Sequence, residues 1–121
     1  MVERGRKRLL LAGALCALVA AGTQGGLDAE ASVRSCAPIV NPYPDTRYEG
    51  ADLRRIRADG VSCRRARRVA RGAHHEALGI TPPVSGVRRF DWRGWRVTGD
   101  LRGASDRYVA KRDGRRVRWV F

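Results

Sequence analysis

Gly60-Val61-Ser62-Cys63-Arg64-Arg65-Ala66-Arg67-Arg68-Val69-Ala70 is the stretch from which the fold can be read. Ser62 is a good helix N-cap, because its hydroxyl can accept a bond from an otherwise orphaned amide one turn in. Val61, just outside the cap, is placed to pack on Ala66 as a hydrophobic staple does. From there Cys63, Ala66, Ala70, Ala73 and Ala77 recur at helical spacing and line one side of a helix. The stripe is narrow and built of small side chains, so the helix can lie close against whatever it covers. Arg64, Arg65, Arg67, Arg68 and Arg71 fill the rest of the circumference. Gly72 costs about 1 kcal/mol relative to alanine, which predicts fraying or a kink beyond it. Gly79, followed by Pro82-Pro83, predicts the stop.

Outward from that helix, the downstream chain reads as a sheet for the stripe to sit on. Arg107 to Phe121 is the clearest hairpin, turning at Asp113-Gly114. A two-residue turn there pairs Arg112 with Arg115, Ala110 with Val117, and Tyr108 with Trp119. Tyr108, Ala110, Val117, Trp119 and Phe121 then share one face; Arg107, Val109, Lys111, Arg116, Arg118 and Val120 share the other. Val87 to Thr98 reads as a single strand in which Phe90 and Trp92 have one parity, Trp95 and Val97 the other. A bulge at Gly94 would bring all four to the core side. Gly99 to Ser105 reads as a loop. Upstream, Leu53 and Ile56 fit a helical turn or a bulged edge strand, and the strand is favoured. Ala37 to Asp45 carries Pro38, Pro42 and Pro44 and should be extended and irregular. The expected fold is α+β, one helix packed on a small antiparallel sheet in the order β-α-β-β-β.

The 121 residues have room for one domain, and 25 Lys+Arg against 12 Asp+Glu give a net charge of +13. Only Lys7 and Lys111 are lysines; every other basic residue is arginine. A genome rich in G and C accounts for arginine in place of lysine. It does not account for the excess of positive charge, which leaves room for an anionic partner.

Arg4, Arg6, Lys7 and Arg8 precede an uncharged run from Leu9 to Ala21. That run is shorter than the roughly 20 residues of a membrane span and has the length of a secretory h-region. Ala29-Glu30-Ala31 before Ser32 fits a cleavage site, with Val19-Ala20-Ala21 before Gly22 as the alternative. Residues 1–31 are therefore expected to be a signal peptide, 32–47 an extended Pro-rich segment, and 48–121 the α+β domain. Leu15 stands before Cys16 where a lipid anchor requires a small residue, so no anchor is expected. Stable membrane insertion after processing is not expected either, and the mature protein is read as extracellular or cell-envelope associated. Cys36 and Cys63 are then the only cysteines left, and in an oxidising compartment they pair most simply as a disulfide. On the chain-entropy model that bond contributes roughly 3 to 4 kcal/mol. A reactive Cys63 thiolate beside Arg64 is the functional alternative, but no C-x-x-C spacing supports it.

Cys36, then Gly60-Val61-Ser62-Cys63, Ala66-Arg67 and Val69, then Gly94-Trp95 and Val117-Arg118-Trp119-Val120-Phe121 form a pattern. It resembles that of a family of small secreted proteins from high-GC bacteria whose function is not established. In that family a Gly-Trp-x-Cys strand and a later cysteine supply a second pair. Here Val97 stands at the third cysteine and none lies near Ala110, so apolar packing must take the place of a second bridge. The resemblance implies secretion and fold, and no activity.

His74-His75-Glu76 is the only cluster of catalytic or metal-binding residue types. Adjacent histidines on a helix point about 100° apart, and no histidine follows at H-E-x-x-H spacing. A solvated, fraying helix end is expected there, with no catalytic residue, metal or cofactor. Ser62, Ser85 and Ser105 have no evident base; Asp91, Asp100 and Asp106 read as ion-pair partners of nearby arginines. The arginines remain. Arg64, Arg68 and Arg71, with His75, form a stripe along the helix, and Arg107, Lys111, Arg116 and Arg118 cluster on the outward face of the hairpin. Either group could hold a polyanion, against the plainer reading of a solvated basic surface. Trp92, Trp95, Tyr108 and Trp119 are expected in the core, which argues against base stacking. The first expectation is thus a secreted, non-catalytic domain binding an anionic envelope or extracellular polymer. A disulfide-held protease inhibitor presenting Thr81-Pro82-Pro83-Val84-Ser85 is the second, and a small envelope enzyme using His74, His75 or Glu76 the third.

Overall fold

A computed structural model describes residues 33–121; the expected signal peptide lies outside the described residues. In chain order the elements are β1 (Val33–Cys36), β2 (Arg54–Asp59), α1 (Cys63–Leu78), β3 (Val87–Trp92), β4 (Trp95–Asp100), β5 (Arg107–Arg112) and β6 (Arg115–Val120). The strands make one sheet in the order β1-β2-β6-β5-β4-β3, antiparallel at every pairing. The α+β class holds, but the sheet has six strands where the sequence suggested four.

The helix begins as its cap dictates, with the Arg65 amide donating to Ser62 Oγ at 3.2 Å. Ala66, Ala70, Ala73 and Ala77 are buried on the sheet, and Val69 and His74 widen the stripe. The helix runs unbroken through Gly72 to Leu78 and does not fray there. A Cβ there would lie 2.1 Å from Trp92 Cζ2, so the missing side chain is the space the indole fills. Arg88 on β3 is buried and donates to the Ala77 carbonyl, which also accepts from the Ile80 amide at 3.2 Å.

The β5–β6 hairpin has the expected register, Arg112 opposite Arg115, Ala110 opposite Val117 and Tyr108 opposite Trp119. The stretch from Val87 to Thr98 is not one bulged strand. It folds back at Arg93-Gly94, whose φ angles of 46° and 81° are the paired positive values of a two-residue hairpin turn. Phe90 faces Val97 and Trp92 faces Trp95 across that hairpin, which puts all four on the core side without a bulge. β4 also runs on through Gly99 and Asp100, which the sequence suggested were loop; the Tyr108 ring occupies the space a Cβ on Gly99 would need.

β2 is bulged between Arg54 and Arg57, so Leu53, Ile56 and Ala58 all reach the core and are fully buried. It is an inner strand, not an edge: β1 covers its outer side in antiparallel register. The segment between β1 and β2 is irregular, as its prolines require, but Ile39 and Leu53 exchange backbone hydrogen bonds of 2.8 and 3.0 Å, and Tyr43 is buried. Cys36 and Cys63 are disulfide-bonded with Cα atoms 5.3 Å apart, fastening the end of β1 to the first turn of α1. Val97 and Ala110 are direct cross-strand partners and fully buried.

Candidate functional site

Alternation along each strand sends every second side chain to the sheet face that α1 leaves open. The register then brings cations together there. Arg57 on β2 lies opposite Arg118 on β6; Arg116 on β6 lies opposite Lys111 on β5; Lys111 in turn lies opposite Arg96 on β4. Three directly opposed like-charge pairs on one face are unfavourable, each by roughly 0.2 to 1 kcal/mol, offset in part where Asp59 on β2 lies opposite Arg116. Arg96, Thr98, Val109, Lys111, Arg116 and Arg118 line a concavity of about 340 Å³ on this face. No carboxylate is among them. Asp91, at its rim, pairs with Arg96 at 3.0 Å with both side chains mostly exposed, a geometry that contributes little and exchanges readily. Asp100 is held by Arg102 at 3.0 Å, and the Arg102 hydrogen bonds pull its carboxyl down to about 2. These two carboxylates are the ion-pair partners the sequence suggested. Asp106 is different: burial raises its carboxyl, against the pull of Arg88.

Of the hairpin residues nominated from sequence, Lys111, Arg116 and Arg118 converge on the concavity. Arg107 does not; it stands a row away, opposite Val120 and Asp100. Arg57 and Arg96 join the cluster although sequence reasoning passed them over, because only the strand order places them beside the hairpin. The helix arginines form a separate patch. Arg64, Arg68 and Arg71 are exposed on the side of α1 away from the sheet and, with Arg67, surround Ile39 in a second concavity of about 260 Å³.

His74 overturns the expectation of a solvated helix end. It is fully buried, its Nδ1 lies 2.7 Å from the Tyr43 hydroxyl, and its ring sits 4.2 Å from that of Phe121. Burial first, then the charges of Arg88 and His75, lower its pKa to about 4, so the imidazole is neutral over the physiological range. Its Nε2 finds no hydrogen-bond partner among the described residues. His75 and Glu76 are exposed and line, with Tyr43, Arg71 and Trp92, a groove of about 620 Å³. Among the described residues no three His, Cys, Asp or Glu side chains come together to hold a metal ion. Trp95, Tyr108 and Trp119 are buried as expected, while Trp92 is half-buried at the edge of the core. The Thr81–Ser85 loop carries a fully exposed Val84, but it closes in a turn, the Gly86 amide donating to the Pro83 carbonyl at 3.0 Å.

No family model, curated protein or solved structure matches this chain.

Proposed function

We propose that this is an exported, non-catalytic domain that binds an anionic polymer of the cell envelope or its surroundings through the open face of its sheet. The observation that carries the reading is the run of opposed cations Arg57–Arg118, Arg116–Lys111 and Lys111–Arg96 around a concavity lined by no carboxylate, with Asp59 opposite Arg116 and Asp91 opposite Arg96 at the two ends of the run. Such a face costs the free protein stability and repays it only when anions arrive. It presents Arg, Lys, Thr and Val and no aromatic ring, so what it suits is a polymer's charge, not a stacked base. The Cys36–Cys63 bond fits an oxidising compartment, and among the described residues no helix is long and apolar enough to cross a membrane. The protease-inhibitor reading has less behind it: Val84 sits on a tight turn, whereas peptides that add to a cleft edge do so extended.

Salt-dependent binding to heparin tests the proposal. Lys111→Gln, Arg116→Gln and Arg118→Gln together should reduce the slope of log affinity against log salt by about two. Arg34→Gln, Arg47→Gln and Arg102→Gln remove the same charge elsewhere and should leave most of it. Equal losses from both triples would mean that net charge alone binds the polymer, and would reject the site.

A further inference from the structure

The two basic patches lie on opposite sides of a two-layer molecule, and that arrangement has a functional consequence. One side is the open sheet face with Lys111, Arg116 and Arg118. The other is α1, where exposed Arg64, Arg68 and Arg71 point away from the sheet and, with Arg67, which donates to the Pro38 carbonyl at 3.4 Å, line a concavity beside Ile39 where the helix flank meets the segment after β1. The helix patch also sets like charges side by side in the free protein. Arg64 and Arg68 stand at i,i+4, and Arg68 and Arg71 at i,i+3, spacings at which like charges repel. The first turn of α1 contains no acidic residue, although the positive end of the helix dipole favours one and disfavours Arg64 and Arg65. Each face therefore carries its own reason to gather anions.

A helix with its side chains is about 10 Å across, and with the sheet beneath it the two cationic surfaces stand roughly 20 Å apart. The Debye length at physiological ionic strength is about 8 Å. An anionic chain on one face thus leaves the other face's field almost intact, and the second face remains free to take another chain. We infer that the protein bridges two segments of anionic polymer, one on the helix arginines and one on the sheet concavity, and so acts as a cross-linker. This inference rests on the polyanion reading above and goes beyond it: binding needs one face, bridging needs both.

A sandwich capture separates the two. Heparin-coated beads are saturated with the protein, washed, and offered soluble fluorescein-labelled heparin; the label stays on the beads only if bound protein has a second face free. Wild-type protein should capture label, and the label should be released by salt. Two triple variants are compared at matched protein loading on the beads, Arg64→Gln/Arg68→Gln/Arg71→Gln and Lys111→Gln/Arg116→Gln/Arg118→Gln. Each should still load at low salt and should capture less than about a tenth of the wild-type label, since the avidity of a second contact is worth at least that factor. Capture by either variant above that level overturns the inference, including the case in which a dimer bridges through one repeated face. Wild-type protein that loads in a salt-sensitive way yet captures no label also overturns it, while leaving the polyanion reading standing. Wild-type protein that fails to load at all removes that reading itself. Thermal melts of both triples, expected at or above the wild-type midpoint because repulsion has been relieved, show that any lost capture is not lost folding.

Discussion

The Tyr43 hydroxyl and Nδ1 of His74 lie 2.7 Å apart in the protein interior, joining the irregular segment before β2 to the last turns of α1. The Tyr108 and Phe121 rings close around the same imidazole, at 5.1 and 4.2 Å. Arg88, His75 and Arg71 are the neighbouring cationic or protonatable groups, and Asp106 is the nearby acid. Burial raises the Tyr43 hydroxyl well above its usual range, so the pair is neutral over the whole physiological span.

Acid should therefore destabilise the protein through this pair. An unfolded chain protonates His74 near pH 6.5, whereas the folded chain resists until about pH 4. Unfolding thus takes up a proton between these values, and stability falls as pH drops from about 6.5 to about 4, then levels with respect to this group. The loss is on the order of 3 kcal/mol. His74→Leu, of similar volume and without a titrating nitrogen, should flatten that part of the profile in urea melts taken across the range. Tyr43→Phe leaves the imidazole without its partner and should cost roughly 1 to 3 kcal/mol at pH 7.

Gly72 and Trp92 make a second pair that can be tested on its own. On an exposed helix Gly72→Ala would gain about 1 kcal/mol, but here the added Cβ would meet the indole at 2.1 Å. The substitution should instead cost roughly 1 to 3 kcal/mol as Trp92 is pushed from its seat. In a Trp92→Ala background the sign should reverse, and Gly72→Ala should stabilise. A double-mutant cycle by thermal melting reads the coupling directly; an alanine that stabilises both backgrounds would show that the indole does not need the gap.

The pairings that could be read from the sequence are those whose turn chemistry is conventional. Asp113-Gly114 has both residues at positive φ, 48° and 75°, and aspartate-glycine is a familiar pair for that geometry. Arg93-Gly94 makes the same turn, but arginine has no special tolerance for positive φ, so only the glycine is a turn signal and a bulge accounts equally well for the change of parity. β1 has a single apolar residue besides its cysteine, Val33, which is exposed; nothing in its pattern marks a strand, and its place comes from β2 and the Cys63 bond. The helix stripe was legible because alanines at helical spacing have few other uses. His74 was not, since its burial depends on Tyr43 and Phe121 arriving from the two ends of the domain. For the candidate site, the hairpin gave Lys111, Arg116 and Arg118, while Arg57 and Arg96 required the strand order.

Breaking the Cys36–Cys63 bond should affect one edge of the sheet more than the rest. The bond joins β1 to α1, and among the described residues β1 has only β2 as a strand neighbour. Reduction, or Cys36→Ser with Cys63→Ser, should lower global stability by roughly 3 kcal/mol. Amide exchange in Val33–Cys36 should accelerate before exchange in β5 and β6, whose Tyr108–Trp119 stack is far from the bond along the sheet order. Uniform acceleration across all six strands would mean that β1 is held by its ladder alone.

The opposed cations make a further prediction about the free protein, independent of any ligand. Lys111 has Arg116 on one side and Arg96 on the other, and Arg118 faces Arg57. Added salt screens these repulsions, because exposed charges one strand apart, at about 4.8 Å, interact mostly through solvent. Folding stability should therefore rise between about 0.01 and 0.5 M sodium chloride, where the Debye length falls from about 30 Å to a few ångströms. The single change Lys111→Gln removes two opposed pairs at once and should raise stability by roughly 0.5 to 1 kcal/mol at low salt. The gain should shrink toward zero as salt increases, since the repulsion it relieves is then already screened. Arg47→Gln, a change of equal charge on an arginine that lies over the Tyr48 ring, should show neither the gain nor its salt dependence. If Lys111→Gln is neutral at low salt, the three cations are held far enough apart by their long side chains to ignore one another, and the energetic case for an anion on this face is lost.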